Sequence, residues 1–188
     1  MKKKDDSKIV KIQEATAQII LTEGIAKVST VKVAKLVGIA QSNVYLYFKN
    51  KNDLLLSAYQ RELDRIRDTH DLIALTDKDI PIERRIDTYI WSVYNYSIKY
   101  PDGLTIIEQI KSLNLTNEDV LSTNKIVITL LEEGISVGYL KDVPVNLHMS
   151  VVFNVFHQHA LSIKDGLYEK DTYPFTDIAE IVLDALKK

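Results

Sequence analysis

The sequence predicts an all-α protein of about nine helices, and three observations favour that fold class. Only 6 Gly and 4 Pro occur in 188 residues, fewer than the turns of an all-β fold require. Apolar residues recur at helical spacing in one segment after another, and no segment reads convincingly as a strand. The composition, with 46% hydrophobic and 27% charged residues, is that of an ordinary globular protein.

Four helices are predicted in the first part of the chain, over residues 7–23, 31–37, 41–47 and 51–72. Each combines an apolar stripe with a residue that favours a helix boundary. Ser7 is a candidate N-cap, and Gly24 and Gly38 lie where a glycine commonly ends a helix. Either Ser29 or Thr30 precedes the second helix as its cap.

Sequence breaks separate the later helices. Residues 50–53, Asn-Lys-Asn-Asp, resemble a capping box with Asp in place of Glu. The polar segment 76–81, which ends in Pro81, is the best candidate for a linker. Pro101 and Gly138 mark two further boundaries. The remaining helices are predicted over residues 82–100, 104–113, 117–137, 144–163 and 175–186.

Several classes of site are absent from the sequence. Cysteine does not occur, which excludes disulfides, thiol catalysis and thiolate metal sites. No Gly-rich phosphate loop, nucleophile elbow, H-E-x-x-H motif or acidic metal cluster is present. His157 and His159 point about 200° apart on one helix, so they do not form a metal pair. No apolar run approaches the roughly 20 residues of a spanning helix. We expect a cytoplasmic protein without catalytic residues, cofactor, metal or membrane partner.

Charge is divided unevenly along the chain, although the formal net charge is only −2. Residues 1–67 hold 13 Lys and Arg against 7 Asp and Glu, a net charge of +6. Residues 68–188 hold 11 against 19, a net charge of −8. This asymmetry favours a nucleic-acid-binding module joined to a second part. Chance clustering on solvated helix faces is the alternative.

The most informative segment is residues 31–51, V-K-V-A-K-L-V-G-I-A-Q-S-N-V-Y-L-Y-F-K-N-K. It predicts two short helices joined by a glycine turn, which must cross at a steep angle. Val44 and Phe48 lie four residues apart and should point inward. The outer face is then uncharged and mostly polar or planar, and it carries Gln41, Ser42, Asn43, Tyr45, Leu46 and Tyr47.

Such a face suits the edges of bases in the major groove of double-stranded DNA. Gln and Asn side chains hydrogen-bond adenine, and apolar or aromatic carbons contact the thymine methyl group. Flanking lysines would then contact phosphates and set the register. These lysines are Lys32, Lys35, Lys49 and Lys51. An ordinary helical hairpin with a polar outer face is the alternative.

Part of this segment resembles the signature of the tetracycline-repressor (TetR) family of bacterial transcription regulators. The resemblance rests on Gly-Ile-Ala at 38–40, Val-Tyr at 44–45 and Tyr-Phe-Lys-Asn-Lys-Asn-Asp-Leu-Leu at 47–55. It covers roughly the first third of the chain. Beyond it, only helix count, length and the phrase Glu-Glu-Gly-Ile-Ser-Val-Gly-Tyr-Leu at 132–140 are similar.

The resemblance implies roles for individual residues. Thr30 would cap the second helix and touch a phosphate, and Lys51 would bind phosphate at a helix N-terminus. Ser42 and Asn43 depart from the family, where Gly or Pro and then Thr are common, so operator sequence cannot be copied from relatives. The residues implied in DNA binding are Thr30, Gln41, Ser42, Asn43, Tyr45, Leu46, Tyr47, Lys49 and Lys51.

The resemblance also implies two domains, a second subunit and an effector. The helix-turn-helix DNA-binding domain would span residues 1–50, and the effector-binding and dimerisation domain 51–188, with the helix over about 51–72 connecting them. The helix over 144–163 is apolar on more than one face, which suits a dimer surface unless it is wholly buried in one chain. The dimer interface is assigned to Val152, Phe153, Phe156, Ile178, Ile181, Val182 and Ala185. The effector pocket is assigned to Tyr89, Trp91, Tyr94, Ile107, Ile110, Asn154 and His157.

Two functions follow from the sequence. The first is a homodimeric, ligand-responsive transcriptional regulator, most simply a repressor released from a palindromic operator by a small molecule. The alternative is a helical ligand- or protein-interaction module that does not bind DNA specifically. The outer face over residues 41–47 has no acidic residue, which favours the first.

Overall fold

The computed structural model describes residues 6–69, 72–115 and 122–188. Across these ranges the regular structure is helical, apart from one isolated β-bridge between Leu140 and Lys187. A 3-10 turn, Ile25–Lys27, separates the first two α-helices. The helices are α1 (Asp6–Glu23), α2 (Thr30–Val37), α3 (Gln41–Tyr45), α4 (Lys51–Thr69), α5 (Leu72–Thr76), α6 (Ile82–Lys99), α7 (Gly103–Lys111), α8 (Ser122–Ser136), α9 (Val145–Lys164) and α10 (Phe175–Leu186).

The predicted all-α class is confirmed, and the helix boundaries differ in places. The described residues form ten helices rather than about nine, because the short helix α5 begins where the predicted helix over residues 51–72 ends and was not predicted as an element of its own. Helix α3 ends at Tyr45, two residues before its predicted end. The predicted start of a helix at residue 117 and the basic arm at residues 2–4 lie outside the described residues. Within the described ranges, no helix is long and apolar enough to cross a membrane.

The start of α4 is fixed by the predicted capping residues. The side-chain oxygen of Asn50 accepts a hydrogen bond from the backbone N–H of Asp53 at 2.9 Å. In turn, the Asp53 carboxylate accepts one from the backbone N–H of Lys49, also at 2.9 Å. A capping box would return this second bond to the N–H of residue 50, and here it goes to the N–H of residue 49 instead.

The chain divides into two compact units. Unit 1 comprises Met1–Leu63 and Thr105–Asn117, and unit 2 comprises Asp64–Leu104 and Glu118–Lys188. Helix α4 therefore contributes residues to both units. The predicted domain boundary between residues 50 and 51 stays a prediction.

The core of unit 1 is built from one side of each of its first helices. Helix α2 packs against both α1 and α3. The apolar side chains at helical spacing in these three helices are buried, as the predicted stripes require. They include Ile12, Ile19, Ile20, Val33, Ala34 and Val44.

The core of unit 2 surrounds α6, which packs against α5, α8, α9 and α10. Tyr89 and Phe156 are among its largest fully buried side chains, and Tyr94 belongs to the same core. Burial raises the pKa of the Tyr89 phenol, because a low-polarity surrounding disfavours the phenolate. This core explains why several tyrosines occur in so short a stretch of α6.

The phrase at residues 132–140 has a structural explanation within unit 2. A Cβ atom added to Gly134 would lie 2.8 Å from the Leu140 side chain and 2.9 Å from that of Ile86, so any larger residue there would require those side chains to move. Gly138 has φ +78°, in the left-handed region that glycine adopts without strain, and it follows the end of α8. The phrase therefore encodes a close approach and a helix end.

A buried ion pair joins α6 to α8. Arg85, 2% exposed, donates to both carboxylate oxygens of Glu133 at 2.9 Å, and its Nε donates to the Leu75 carbonyl at 3.1 Å. Lys78 also donates to Glu133. The hydrogen bonds from Arg85, and then from Lys78, hold the pKa of Glu133 at about 2, below its ordinary 4.5.

Candidate nucleic-acid interface

The turn between α2 and α3 is set by residues at each end of α2. The side chain of Ser29 accepts a hydrogen bond from the Lys32 backbone N–H at 3.2 Å, so Ser29 is the N-cap. At the other end Gly38 adopts φ 74° and ψ 34°, and the N–H of Ile39 bonds back to the Ala34 carbonyl at 3.0 Å. A left-handed glycine with this backward bond turns the chain sharply into α3.

The inner face of this segment fixes the orientation of α3. Val44 is fully buried and Phe48 is 7% exposed, which confirms that these two side chains point inward. Because α3 has only five residues, burying Val44 leaves the rest of the helix facing outward.

The outer face is exposed as the sequence predicts. Tyr45 is 51% exposed and Leu46, just after α3, is 62% exposed. Gln41, Ser42 and Lys49 are also exposed, and Asn43, Tyr47 and Lys51 are half-buried.

Three polar side chains of this region form a hydrogen-bonded triad, which joins α2 to α3. Gln41 Nε2 donates to Thr30 Oγ1 at 3.0 Å and lies 3.4 Å from the Tyr45 hydroxyl. Thr30 Oγ1 in turn donates to the Tyr45 hydroxyl at 3.3 Å. We refer to Thr30, Gln41 and Tyr45 as the triad.

The triad changes the expected role of Thr30. Ser29, not Thr30, caps α2, and Thr30 is the first residue of the helix. Thr30 is 8% exposed, and its one hydroxyl hydrogen is donated to Tyr45. The side chain therefore has no donor left for a phosphate, because a hydroxyl carries a single hydrogen.

The flanking lysines are not equivalent. Lys32 pairs with Glu23. Lys51 Nζ donates to the Ala26 carbonyl at 3.0 Å, which ties the start of α4 to the turn between α1 and α2. Lys35 and Lys49 are exposed. All four lysines lie around α3. Their contact with DNA phosphates stays a prediction.

The residues assigned to the dimer interface differ in burial. Val152, Phe156 and Val182 are 0% exposed in a single chain, and they pack into the core of unit 2. The interface as a whole stays a prediction. The other assigned residues lie at least partly at the surface, and they are Phe153, Ile178, Ile181 and Ala185.

The residues assigned to an effector pocket are divided between the two units. Ile107 and Ile110 belong to unit 1, and the other five belong to unit 2. Tyr89 is fully buried and Tyr94 is 7% exposed, whereas Trp91 is 47% exposed and stacks on Tyr94 with a ring-centroid distance of 5.7 Å. Asn154 is exposed and His157 is half-buried.

Unit 2 has a cavity of about 250 Å³ that the sequence did not predict. Its lining combines apolar side chains, two hydroxyls and three basic groups. The lining residues are Leu75, Thr76, Lys78, Arg85, Lys125, Ile126, Thr129 and Leu130. One signal was present: Arg85 directly precedes the buried Ile86 and lies one helical turn before Tyr89, so it falls on the inner side of α6.

The histidines have protein partners of their own. The ring of His148 lies 2.9 Å from the Lys141 carbonyl, and Nδ1 of His159 lies 3.0 Å from the Tyr168 hydroxyl. Burial lowers the pKa of His159. Among the residues that the structure describes, no three His, Cys, Asp or Glu side chains are grouped to hold a metal ion.

The helix-turn-helix with an exposed, non-acidic face on α3 defines the class of protein, a DNA-binding transcription regulator. A profile of the family described as "Bacterial regulatory proteins, tetR family" matches residues 12–58. The chain belongs to the TetR family. Its members are transcription regulators and not enzymes.

Similar proteins extend this result over the whole chain. A crystal structure from Lactobacillus plantarum, assigned as a transcription regulator, is 52% identical, with a TM-score of 0.89 over 96% of this chain and 98% of that one. A TetR family transcription regulator from Marinobacter aquaeolei VT8 shares the fold, with 20% identity and a TM-score of 0.83 over the full length of both chains. The fatty acid metabolism regulator protein of Bacillus subtilis (strain 168) is 25% identical over 190 residues, covering 95% of this chain and 93% of that protein.

Proposed function

We propose that this regulator is a cytoplasmic homodimeric repressor, which binds a palindromic operator through α3 and is released by a small-molecule effector. The observation that carries the proposal is the outer face of α3, which is exposed, carries Gln41, Ser42 and Tyr45, and has no acidic side chain. Such a face matches the hydrogen-bonding groups of the major groove. Two copies of a short recognition helix are needed to read an operator of useful length.

The first experiment measures DNA binding by the full chain with random-sequence duplex at two salt concentrations. We expect an affinity that falls steeply with salt, because lysines around α3 would displace counterions from phosphates. Selection from a random duplex pool should then return a palindrome with half-sites about one helical turn apart. Absence of binding at low salt would instead support an interaction module that does not recognise DNA.

The proposed dimer uses the outward side of α9 and α10. Ile181, on α10, belongs to the predicted interface and is 58% exposed in the single chain, so a second chain could cover it. Val137, just after α8, is 60% exposed and lies outside the predicted interface, so it is a matched control. Ile181→Glu should lower the dimer fraction in analytical ultracentrifugation, and Val137→Glu should not. Equal dimer fractions for both variants would exclude this surface.

The proposed effector binds in unit 2. The cavity described above places basic Lys125 beside apolar Leu75 and Ile126, a lining that suits a carboxylate on an apolar chain. Lys78 and Arg85 also line this cavity, but both are already paired with Glu133. The name of the B. subtilis relative points in the same direction, and we extend it to this chain as a proposal that fatty acid metabolism is regulated. The competing proposal is a site at the unit 2 residues assigned from the sequence, which are Tyr89, Trp91, Tyr94, Asn154 and His157.

One substitution at each of the two effector sites distinguishes them. Lys125→Glu places an anion in the cavity and should weaken the release of operator by a fatty acid. Trp91→Phe should leave that release unchanged if the cavity is the site. The reverse pattern would favour the aromatic residues.

Release is proposed to be a shift between two conformations. Because α4 contributes to both units, it is the element through which an effector in unit 2 would move α3. The effector shifts the equilibrium only by its difference in affinity for the two conformations. By linkage, operator DNA must then weaken effector binding by the same factor.

A further inference from the structure

We propose that Thr30 is a positioning residue, which fixes the side-chain amide of Gln41 so that only its carbonyl oxygen faces the DNA. Gln41 would then select a base that offers an amino group in the major groove. This inference rests on the proposed function of α3 and adds a specificity that the sequence did not predict.

The hydrogen bonds of the triad use the donors of Gln41. A glutamine amide has two N–H donors on one atom and a carbonyl acceptor on another. The Nε2 atom lies 3.0 Å from Thr30 Oγ1 and 3.4 Å from the Tyr45 hydroxyl, so the nitrogen side of the amide is turned towards the protein. The carbonyl oxygen Oε1 is the group left for a partner.

Thr30 is suited to hold the amide because its own position is fixed. It is the first residue of α2, it is 8% exposed, and α2 is anchored by buried Val33 and Ala34. A β-branched side chain has few rotamers, so its hydroxyl is held by the helix rather than by a flexible chain. The hydrogen bond from Thr30 to Tyr45, at 3.3 Å, braces the third member of the triad.

The exposed groups of the triad define what α3 presents to a base pair. Adenine and cytosine offer an amino group in the major groove, whereas guanine and thymine offer acceptors there. The Gln41 carbonyl accepts from the first two and is repelled by the acceptors of the others. A bidentate contact with adenine would require a free Nε2 donor, which the triad withholds. The Tyr45 hydroxyl accepts within the triad, so its own hydrogen remains available to donate outward.

The test begins by locating the base pair that Gln41 contacts. The wild-type operator is selected from a random duplex pool, and each half-site position is then replaced by all four bases in competition binding. The position at which Gln41→Ala flattens the preference is the Gln41 position. At that position we expect the wild type to favour adenine and cytosine over guanine and thymine on the contacted strand by about fivefold, the value of one net hydrogen bond.

Two substitutions at residue 30 then separate positioning from folding. Thr30→Val keeps the shape and removes the hydroxyl, so Gln41 is free to turn its amide. The preference for amino bases should fall below about twofold, with adenine gaining over cytosine because a bidentate contact becomes possible. Thr30→Ser restores the hydroxyl and should restore the wild-type ranking. If Thr30→Val does not fold, as judged by its melting temperature, Thr30→Ala provides the same loss of hydroxyl.

The possible results are distinguishable. A ranking of the four bases that is unchanged in the hydroxyl-free variant overturns the proposal, and so does a wild-type preference for guanine or thymine. If Gln41→Ala changes no position while the wild type still selects an operator, the positioning role fails and the proposed function stands. If the wild type selects no sequence at all, both fail.

Discussion

Tyr45 and Tyr89 show how differently two regions of this molecule use the same side chain. Tyr45 on α3 is 51% exposed, and its hydroxyl is hydrogen-bonded within the triad. Tyr89 on α6 is 0% exposed. The surrounding structure causes the difference. Helix α3 is five residues long and buries one side, whereas α6 is packed by α5, α8, α9 and α10.

The comparison shows which parts of the chain are free to change with function. On the α2–α3 face, the side chains that would define a partner contribute little to the folded core. In unit 2, an ion pair, a close-fitting glycine and the buried tyrosines all belong to the core. Substitutions in the core of unit 2 should therefore act on stability, and substitutions on the outer face of α3 should act on DNA binding.

The largest expected effect is the loss of the ion pair in unit 2. Glu133→Ala leaves the 2%-exposed Arg85 without its carboxylate, and breaking such a pair costs about 3 kcal/mol. Lys78→Ala is the matched control, because its side chain is 63% exposed and its pairing with Glu133 contributes less than about 1 kcal/mol. Urea unfolding measures both. Equal losses of unfolding free energy for the two variants would contradict the view that Glu133 stabilises the fold mainly through Arg85.

The same carboxylate predicts a dependence of stability on pH. Its pKa is lowered from 4.5 to about 2 in the folded protein, mainly by the hydrogen bonds from Arg85. A lowered pKa means that the contribution to stability is complete above pH 4.5 and is lost as the pH falls towards 2. Glu133→Gln should remove the part of the acid-induced loss of stability that comes from this carboxylate. Thermal unfolding at several pH values should then show a melting temperature that depends less on pH than in the wild type.

The next effect concerns the close approach at Gly134. Gly134→Ala adds a Cβ atom 2.8 Å from the Leu140 side chain, and overpacking of this kind costs about 1–3 kcal/mol. Within an otherwise suitable helix, replacing Gly by Ala would stabilise α8 by up to about 1 kcal/mol. The measured change in unfolding free energy decides which effect is larger. A more stable variant would mean that Leu140 and Ile86 move aside at little cost.

A smaller effect, on binding rather than folding, is expected at Lys51. Lys51→Glu replaces a cation beside α3 by an anion and should weaken binding to all DNA sequences by about tenfold at low salt. Lys170→Glu makes the same charge change on an exposed residue of unit 2 and should have little effect. Because Lys51 also bonds to Ala26, the melting temperature of each variant is measured alongside the affinity. Unchanged affinity for Lys51→Glu would remove this residue from the interface.

The smallest effect on stability is expected at Tyr45. Tyr45→Ala removes a side chain that is 51% exposed and should change the unfolding free energy by less than about 0.5 kcal/mol while altering DNA binding. The adjacent Val44 is fully buried, so Val44→Ala should cost more than about 1 kcal/mol. A large loss of stability in Tyr45→Ala would mean that the triad supports the fold as well as the surface.

The sequence predicted the α2–α3 segment better than unit 2, because the signals in the α2–α3 segment are local. Gly38, the inward Val44 and Phe48, and the cap at Asn50 depend on neighbours within a few residues. The bond from Thr30 to Tyr45 spans 15 residues and depends on how two helices cross, so no spacing rule predicts it. In unit 2, an apolar residue such as Val152 and a basic one such as Arg85 are both buried, and only packing decides which stripe faces the core.

Trp91 gives the molecule an intrinsic optical probe. It is the single tryptophan of the chain, and its ring packs edge-on against Phe175 of α10 with a centroid distance of 4.6 Å. Unit 1 contains no tryptophan, so excitation near 295 nm, roughly where tyrosine no longer absorbs, monitors only the neighbourhood of α6 and α10. Its emission, followed during addition of operator DNA to unlabelled protein, would show whether DNA binding at α3 changes the surroundings of Trp91 beside α10.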